Sequence, residues 1–214
     1  MAPWGLGEAC AAVLVAVIGS GLVAGALGVG THPPIGDQVL VNIPLWAAFL
    51  GVPLWATARR GDGPVLDLGL RVRWVDLAGF PLGVAMQFVV GWLYLPFVDQ
   101  HDVDKPAQAL VDSAHGAGGK VLLVLMTVVL APIAEEVFYR GLILRSLSRA
   151  LPVWAAVVVT AVVFGVMHFE WVQLVGLSLF GMLAGALAAR TGRLGPAILA
   201  HMGFNAIALV HLLS

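Results

Sequence analysis

Seven apolar runs of about membrane-crossing length fill most of this 214-residue sequence, at 8–30, 38–58, 75–98, 119–146, 152–169, 172–190 and 194–213. A helix needs roughly 20 mostly apolar residues to cross a bilayer. Without water to satisfy the backbone, only helices and closed barrels can cross. The runs predict an all-α fold, a polytopic integral membrane helical bundle of about seven transmembrane helices. Composition agrees: 11% of residues are charged, against about a quarter in a soluble domain. The net charge of −1 gives no footprint for nucleic acid, so the lipid bilayer is the expected partner. The lone cysteine, Cys10, excludes a disulfide within the chain and a cysteine-built metal site.

No stretch is long and polar enough for a separate soluble domain, so 1–214 reads as a single membrane domain. The opening MAPWGLGE lacks a basic region ahead of its apolar run and reads as a retained first helix. Turn-rich connections fall at 31–37, 59–64 and 190–196. Arg59, Arg60, Arg71 and Arg73 follow the second run, Arg145 and Arg149 the fourth, and Arg190 and Arg193 the sixth. The 31–37 connection has no Lys or Arg, and 99–118 is acidic, with Asp99, Asp102, Asp104 and Asp112 against Lys105. This alternation fits seven spans with a cytoplasmic N-terminus, in what reads as a bacterial cytoplasmic membrane. An eighth span requires the long 119–150 run to split. The 99–118 connection is expected to be a mobile loop, and 65–77 to lie in the cytoplasmic interface. Gly21-x-x-x-Gly25 and Gly181-x-x-x-Gly185 are spacings that let helices approach closely.

Against this background the polar residues inside the spans stand out. Glu135, Glu136 and Arg140 lie in the fourth run, His168 at the end of the fifth, and His201 and Asn205 in the seventh. Ionisable groups at such depth cost about 2.5–3.5 kcal/mol each on insertion scales, so they should face the bundle interior and find partners. Glu136 and Arg140 are four apart on one helix face and can neutralise each other. Glu135 points about 100° away and has no partner nearby in sequence. A plain packing network accounts for Glu136 with Arg140 better than for Glu135. Pro132 disrupts the helix just ahead, so the run is expected to break there and place both glutamates in the first turn of its second half.

His201 and Asn205 are four apart, as are Phe164 and His168. A lone intramembrane histidine is commonly a satisfied core residue. Together with Glu135, however, these groups make a carboxylate, two imidazoles and a carboxamide on three helices. That set can activate a water and stabilise an oxyanion. It can equally supply ligands to a divalent metal. His211 reads as an outer-interface residue, and His32, His101 and His115 as solvated residues of connections.

EEVFYR fits the pattern EExxxR, FGVMH fits FxxxH and HMGFN fits HxxxN. In that order the three motifs resemble those of the CPBP family. These are intramembrane proteases related to the type II CAAX prenyl endopeptidases and to bacteriocin-processing or immunity (Abi-like) proteins. The resemblance covers the motif region 119–214. It implies an intramembrane endopeptidase acting on a membrane-anchored peptide or protein. Glu135 would be the base that activates water, and His168 would assist it. His201 and Asn205 would steady the oxyanion, with Glu136 and Arg140 as a supporting pair that positions Glu135. The resemblance leaves two chemistries open: a glutamate-activated water without cofactor, which is favoured, or zinc held by Glu135, His168 and His201.

One expectation is awkward. On the usual rise, Glu135 lies about 22 Å from Lys120 and His201 about 12 Å from Arg193, while His168 lies about 24 Å from Pro152. Straight spans would carry His168 into the outer half, away from Glu135. The fifth span must tilt, start outside the core, or turn at FEWVQ within the protein. Two rivals to the protease are a small transporter or proton relay, and a non-catalytic immunity or scaffold protein. A transporter should show an internal repeat, and none is evident. A scaffold has no use for unpaired polar groups in lipid.

Overall fold

A computed structural model describes residues 4–31 and 33–213. His32 therefore lies outside the described residues. All regular elements among the described residues are helical. They are α1 (Leu6–Leu27), α2 (Ile35–Arg60), α3 (Gly79–Tyr94), α4 (Gln100–Ser113), α5 (Gly116–Leu147), α6 (Val153–Val166), α7 (Leu174–Thr191) and α8 (Gly195–Leu213). Short helical turns at Trp74–Ala78 and Leu95–Phe97 extend α3 at both ends, and a further single turn spans Pro64–Asp67.

Six of these helices are long and apolar enough to cross a membrane, counting α3 with its flanking turns as Trp74–Phe97. The all-helical membrane bundle is borne out, with one adjustment to the expected seven spans. The fifth apolar run forms only the 14-residue helix α6. At about 1.5 Å per residue it falls short of a bilayer core about 30 Å thick. The eighth span would need the 119–150 run to split, and α5 stays a single helix over Gly116–Leu147.

The 99–118 connection is not a loop. Its residues form α4, opened by the Asp99 side chain accepting from the His101 N–H at 2.9 Å. Polar bonds tie the helix down. Gln173 Nε2 donates to the Val103 carbonyl at 2.6 Å, and Gln38 Nε2 to Ser113 Oγ at 2.9 Å. The acidic character of the segment hid an amphipathic face, with Val103, Ala107 and Leu110 turned to the bundle.

Close packing depends on small residues at a few crossings. An added Cβ at Gly79 or Gly83 of α3 would run into the carbonyl oxygen of Pro196 or Ala200 on α8. Residue 79 meets 196 and residue 83 meets 200, so α3 and α8 run parallel and in register. Gly181 and Gly185 of α7 sit against α6, with an added Cβ 3.0 Å from Ala161 and 3.1 Å from Val157. Gly21 and Gly25 face open space, so the first small-residue spacing marks no contact within the chain. Cys10 is exposed.

The arginine-rich connections gather at one end. Gly69 accepts from the Leu194 N–H at 2.9 Å, and Arg145 donates to the Gly192 carbonyl at 2.8 Å. Buried Asp76 accepts from the Arg73 N–H at 2.8 Å and from Arg193 Nε at 3.2 Å. Arg149 donates to the Trp4 carbonyl and lies 4.3 Å over its indole. These bonds hold segment 65–77 across the end of the bundle with Val72 and Trp74 turned outward, as an interfacial segment requires.

Candidate active site

The site begins with the way α5 absorbs Pro132. The helix does not break there. It widens into a π turn over Leu125–Leu130, where the Ala131 N–H bonds the Met126 carbonyl five residues back. A wide turn relieves the clash between the pyrrolidine ring and the preceding carbonyls, so a break is unnecessary. The next carbonyl, that of Thr127, would take the N–H of residue 132, which proline lacks. Asn205 takes it instead, its Nδ2 donating at 2.9 Å. A second π stretch, Val137–Leu144, follows the glutamates. Glu135 and Glu136 thus ride a short α-helical piece between two wide turns.

Glu136 and Arg140 pair as their spacing predicts, at 2.7 Å, with both side chains fully buried. The same Glu136 Oε1 also accepts from His201 Nδ1 at 2.9 Å. Arg140 donates onward to the Gly181 carbonyl of α7 at 3.1 Å. Glu136 therefore grips His201, where the resemblance had it positioning Glu135. Its hold fixes Nδ1 as the donor and turns Nε2 toward Glu135, 3.8 Å from Oε2. His168 is oriented in the same fashion: its Nδ1 meets the Phe164 carbonyl at 2.7 Å, which leaves Nε2 free.

Phe164 is the hub beneath these groups. Its ring lies 4.6 Å from the His168 ring, 5.7 Å from the His201 ring and 4.7 Å from the Arg140 guanidinium. The first residue of FxxxH is thus a packing platform that spaces two imidazoles and covers the arginine. Phe180 closes on His201 from α7 at 4.8 Å.

Glu135, His168, His201 and Asn205 all line one cavity of about 350 Å³. Glu136 and Arg140 stand behind its wall. The depth problem is resolved by α6 ending at Val166. His168 sits in the turn that follows, which doubles back through Phe169 at φ 55. The Val172 carbonyl of this turn accepts from the Tyr94 hydroxyl. The FEWVQ segment does turn at the protein, and the tip of α6 reaches the cavity from a short helix.

Asp104 of α4, Glu170 and His211 line the cavity at the end opposite the arginine-rich connections. His211 Nε2 lies 2.9 Å from Gln100 Nε2 and 3.8 Å from Asp104. It closes α4 against α8 rather than standing apart at the interface. His101 is exposed, as expected for a connection, and His115 is exposed just ahead of α5.

Gln87 of α3 also lines the cavity, and the sequence reading missed it. Unlike Asn205, it stands in none of the three motifs and has no polar neighbour three or four residues away. The available signal was a single glutamine inside an otherwise apolar run.

Zinc needs three or four converging protein ligands. Among the described residues no three His, Cys, Asp or Glu side chains converge to hold a metal. Glu135, His168 and His201 share the cavity without forming such a group.

A helical membrane bundle with a buried carboxylate–imidazole cavity is the class that fold and site define. Residues 117–207 match the family model of the Rce1-like type II CAAX prenyl endopeptidases. YdiL of Bacillus subtilis (strain 168), named as a candidate membrane peptidase, is 24% identical over 149 residues. That match covers 70% of this chain and 59% of the relative, so the chain spans less than two thirds of the relative's length. No solved structure matches. Both matches support the resemblance to the CPBP family, the family model covering less than half of the chain.

Proposed function

We propose that the chain is an intramembrane endopeptidase that hydrolyses a peptide bond of a membrane-anchored peptide or protein with a glutamate-activated water. The observation that carries this reading is the convergence of Glu135, His168, His201 and Asn205 from three helical segments on one cavity. Glu135 Oε2 takes a proton from the water, and the hydroxide adds to the scissile carbonyl carbon. His168 Nε2 is a second acceptor for that water. His201 already has Glu136 as counter-charge at Nδ1, so its imidazolium form can donate from Nε2 to the oxyanion. The second N–H of Asn205 adds to this. Collapse of the intermediate breaks the C–N bond as Glu135 returns the proton to the leaving amine.

Asp104 and Glu170 line the cavity at the end away from the arginines, which we take as the substrate entrance. With the N-terminus cytoplasmic, as the arginine pattern favours, the substrate enters from the outer side of a bacterial cytoplasmic membrane. Cleavage of a library of membrane-anchored peptides by detergent-purified protein, read by mass spectrometry, tests the chemistry. Cleavage should be unchanged by a strong chelator. Loss on chelation, restored by zinc, would overturn the metal-free mechanism.

Pro132 enters this scheme through Asn205. Pro132→Ala restores an N–H that competes for the Thr127 carbonyl. The loss of one hydrogen bond's worth of orientation, about 1 kcal/mol, should lower turnover about fivefold. The melting temperature should hold. Turnover equal to wild type would remove Pro132 from the positioning of Asn205.

A further inference from the structure

Gln87 is the only carboxamide on α3. It lines the cavity, and its Oε1 is buried with no hydrogen-bond partner among the described residues. An apolar helix gains nothing from such a group in the resting protein, since a buried unsatisfied amide is destabilising. Gly79 packs on Pro196 and Gly83 on Ala200, so α3 lies along α8, and Gln87 lines the same cavity as His201 and Asn205.

Three other polar side chains of the cavity each have one nitrogen already engaged. Asn205 Nδ2 is donated to Thr127, His168 Nδ1 faces the Phe164 carbonyl, and His201 Nδ1 is bound to Glu136. In their neutral forms both imidazoles offer the cavity a lone pair and no N–H. A peptide entering this space loses water from its backbone amides and needs new partners for them. A carboxamide, with one acceptor and one donor, matches edge to edge the N–H and C=O of one residue of an extended peptide, which point the same way.

We propose that Gln87 is a substrate-binding residue whose carboxamide receives the backbone of one residue of the extended peptide, Oε1 accepting that residue's N–H and Nε2 donating to its C=O. This rests on reading the cavity as a peptide-hydrolysing site. It adds a contact from α3, outside all three sequence motifs.

Two measurements test it, using fluorescently labelled peptides of the membrane-peptide library. Affinity is read by anisotropy in the Glu135→Gln protein, with and without Gln87→Leu, and against peptides carrying one backbone N-methyl group each. Gln87→Leu should weaken binding about tenfold, equivalent to about 1.4 kcal/mol. One N-methyl position should cost the same factor with Gln87 present and nothing in Gln87→Leu. The peptide-free melting temperature of Gln87→Leu should equal or exceed that of the parent, since an orphaned amide is removed. Equal affinities, an N-methyl penalty that persists in Gln87→Leu, or a lowered melting temperature would overturn the assignment. Binding through Gln87 without cleavage by wild type would remove the protease reading and keep the peptide contact. Cleavage indifferent to Gln87 would do the reverse, and neither binding nor cleavage would remove both.

Discussion

An Arg140→Leu protein is expected to lose about 3–5 kcal/mol of stability and to yield little folded material, because it breaks a fully buried ion pair from one side. The Glu136–Arg140 pair has no exposed side-chain surface. Removing the arginine leaves a buried carboxylate whose Oε2 already lacks a partner and whose Oε1 keeps only His201. The change also withdraws a donor from the Gly181 carbonyl and a cation from the face of Phe164. Neutralising the carboxylate at the same time should recover most of the loss. Glu136→Gln with Arg140→Leu removes both charges and keeps an acceptor for His201 Nδ1. Thermal unfolding followed by tryptophan fluorescence in detergent separates the cases. A single variant that melts with wild type would show that the pair is not a structural element.

Glu135→Gln should behave in the opposite manner. Its side chain borders the cavity with 17% exposure, and its ion-pair contact, at 3.8 Å from His201, is too long for a hydrogen bond. Melting should therefore be unchanged. Turnover should fall by about 10²–10⁴-fold, the usual contribution of a general base. Glutamine has nearly the same shape but cannot accept the water's proton. The two adjacent glutamates thus predict two phenotypes: structural failure when the partner of Glu136 is lost, and catalytic failure with intact folding at Glu135.

How much of this was legible in the sequence follows from which interactions are local. Glu136 and Arg140 are neighbours on one helix, so their spacing alone predicted the pair. The helical membrane bundle followed from run length and composition. What spacing cannot carry is contact between helices. Glu136 holds His201 from 65 residues away, and this redirects its role from its sequence neighbour to a histidine on α8. Pro132 was read as a break because the rule for proline concerns α-helical hydrogen bonds, and a π turn sidesteps the clash. The Thr127 carbonyl it frees is a consequence of that turn, invisible in EEVFYR or HMGFN. Segment 99–118 was read as loop from its charges, although its apolar residues fall on one face once it is helical. Gln87 escaped notice because it belongs to no motif and carries no charge. Only the packing of α3 along α8 brings it to the cavity that Asn205 lines.

The central claim is that Glu135 activates the water in this cavity. The most direct test compares wild type with Glu135→Gln on one library peptide, reading binding by anisotropy and cleavage by mass spectrometry in the same detergent. The account predicts that the variant binds the peptide as wild type does and does not cut it. Cutting at the wild-type rate by Glu135→Gln would contradict it.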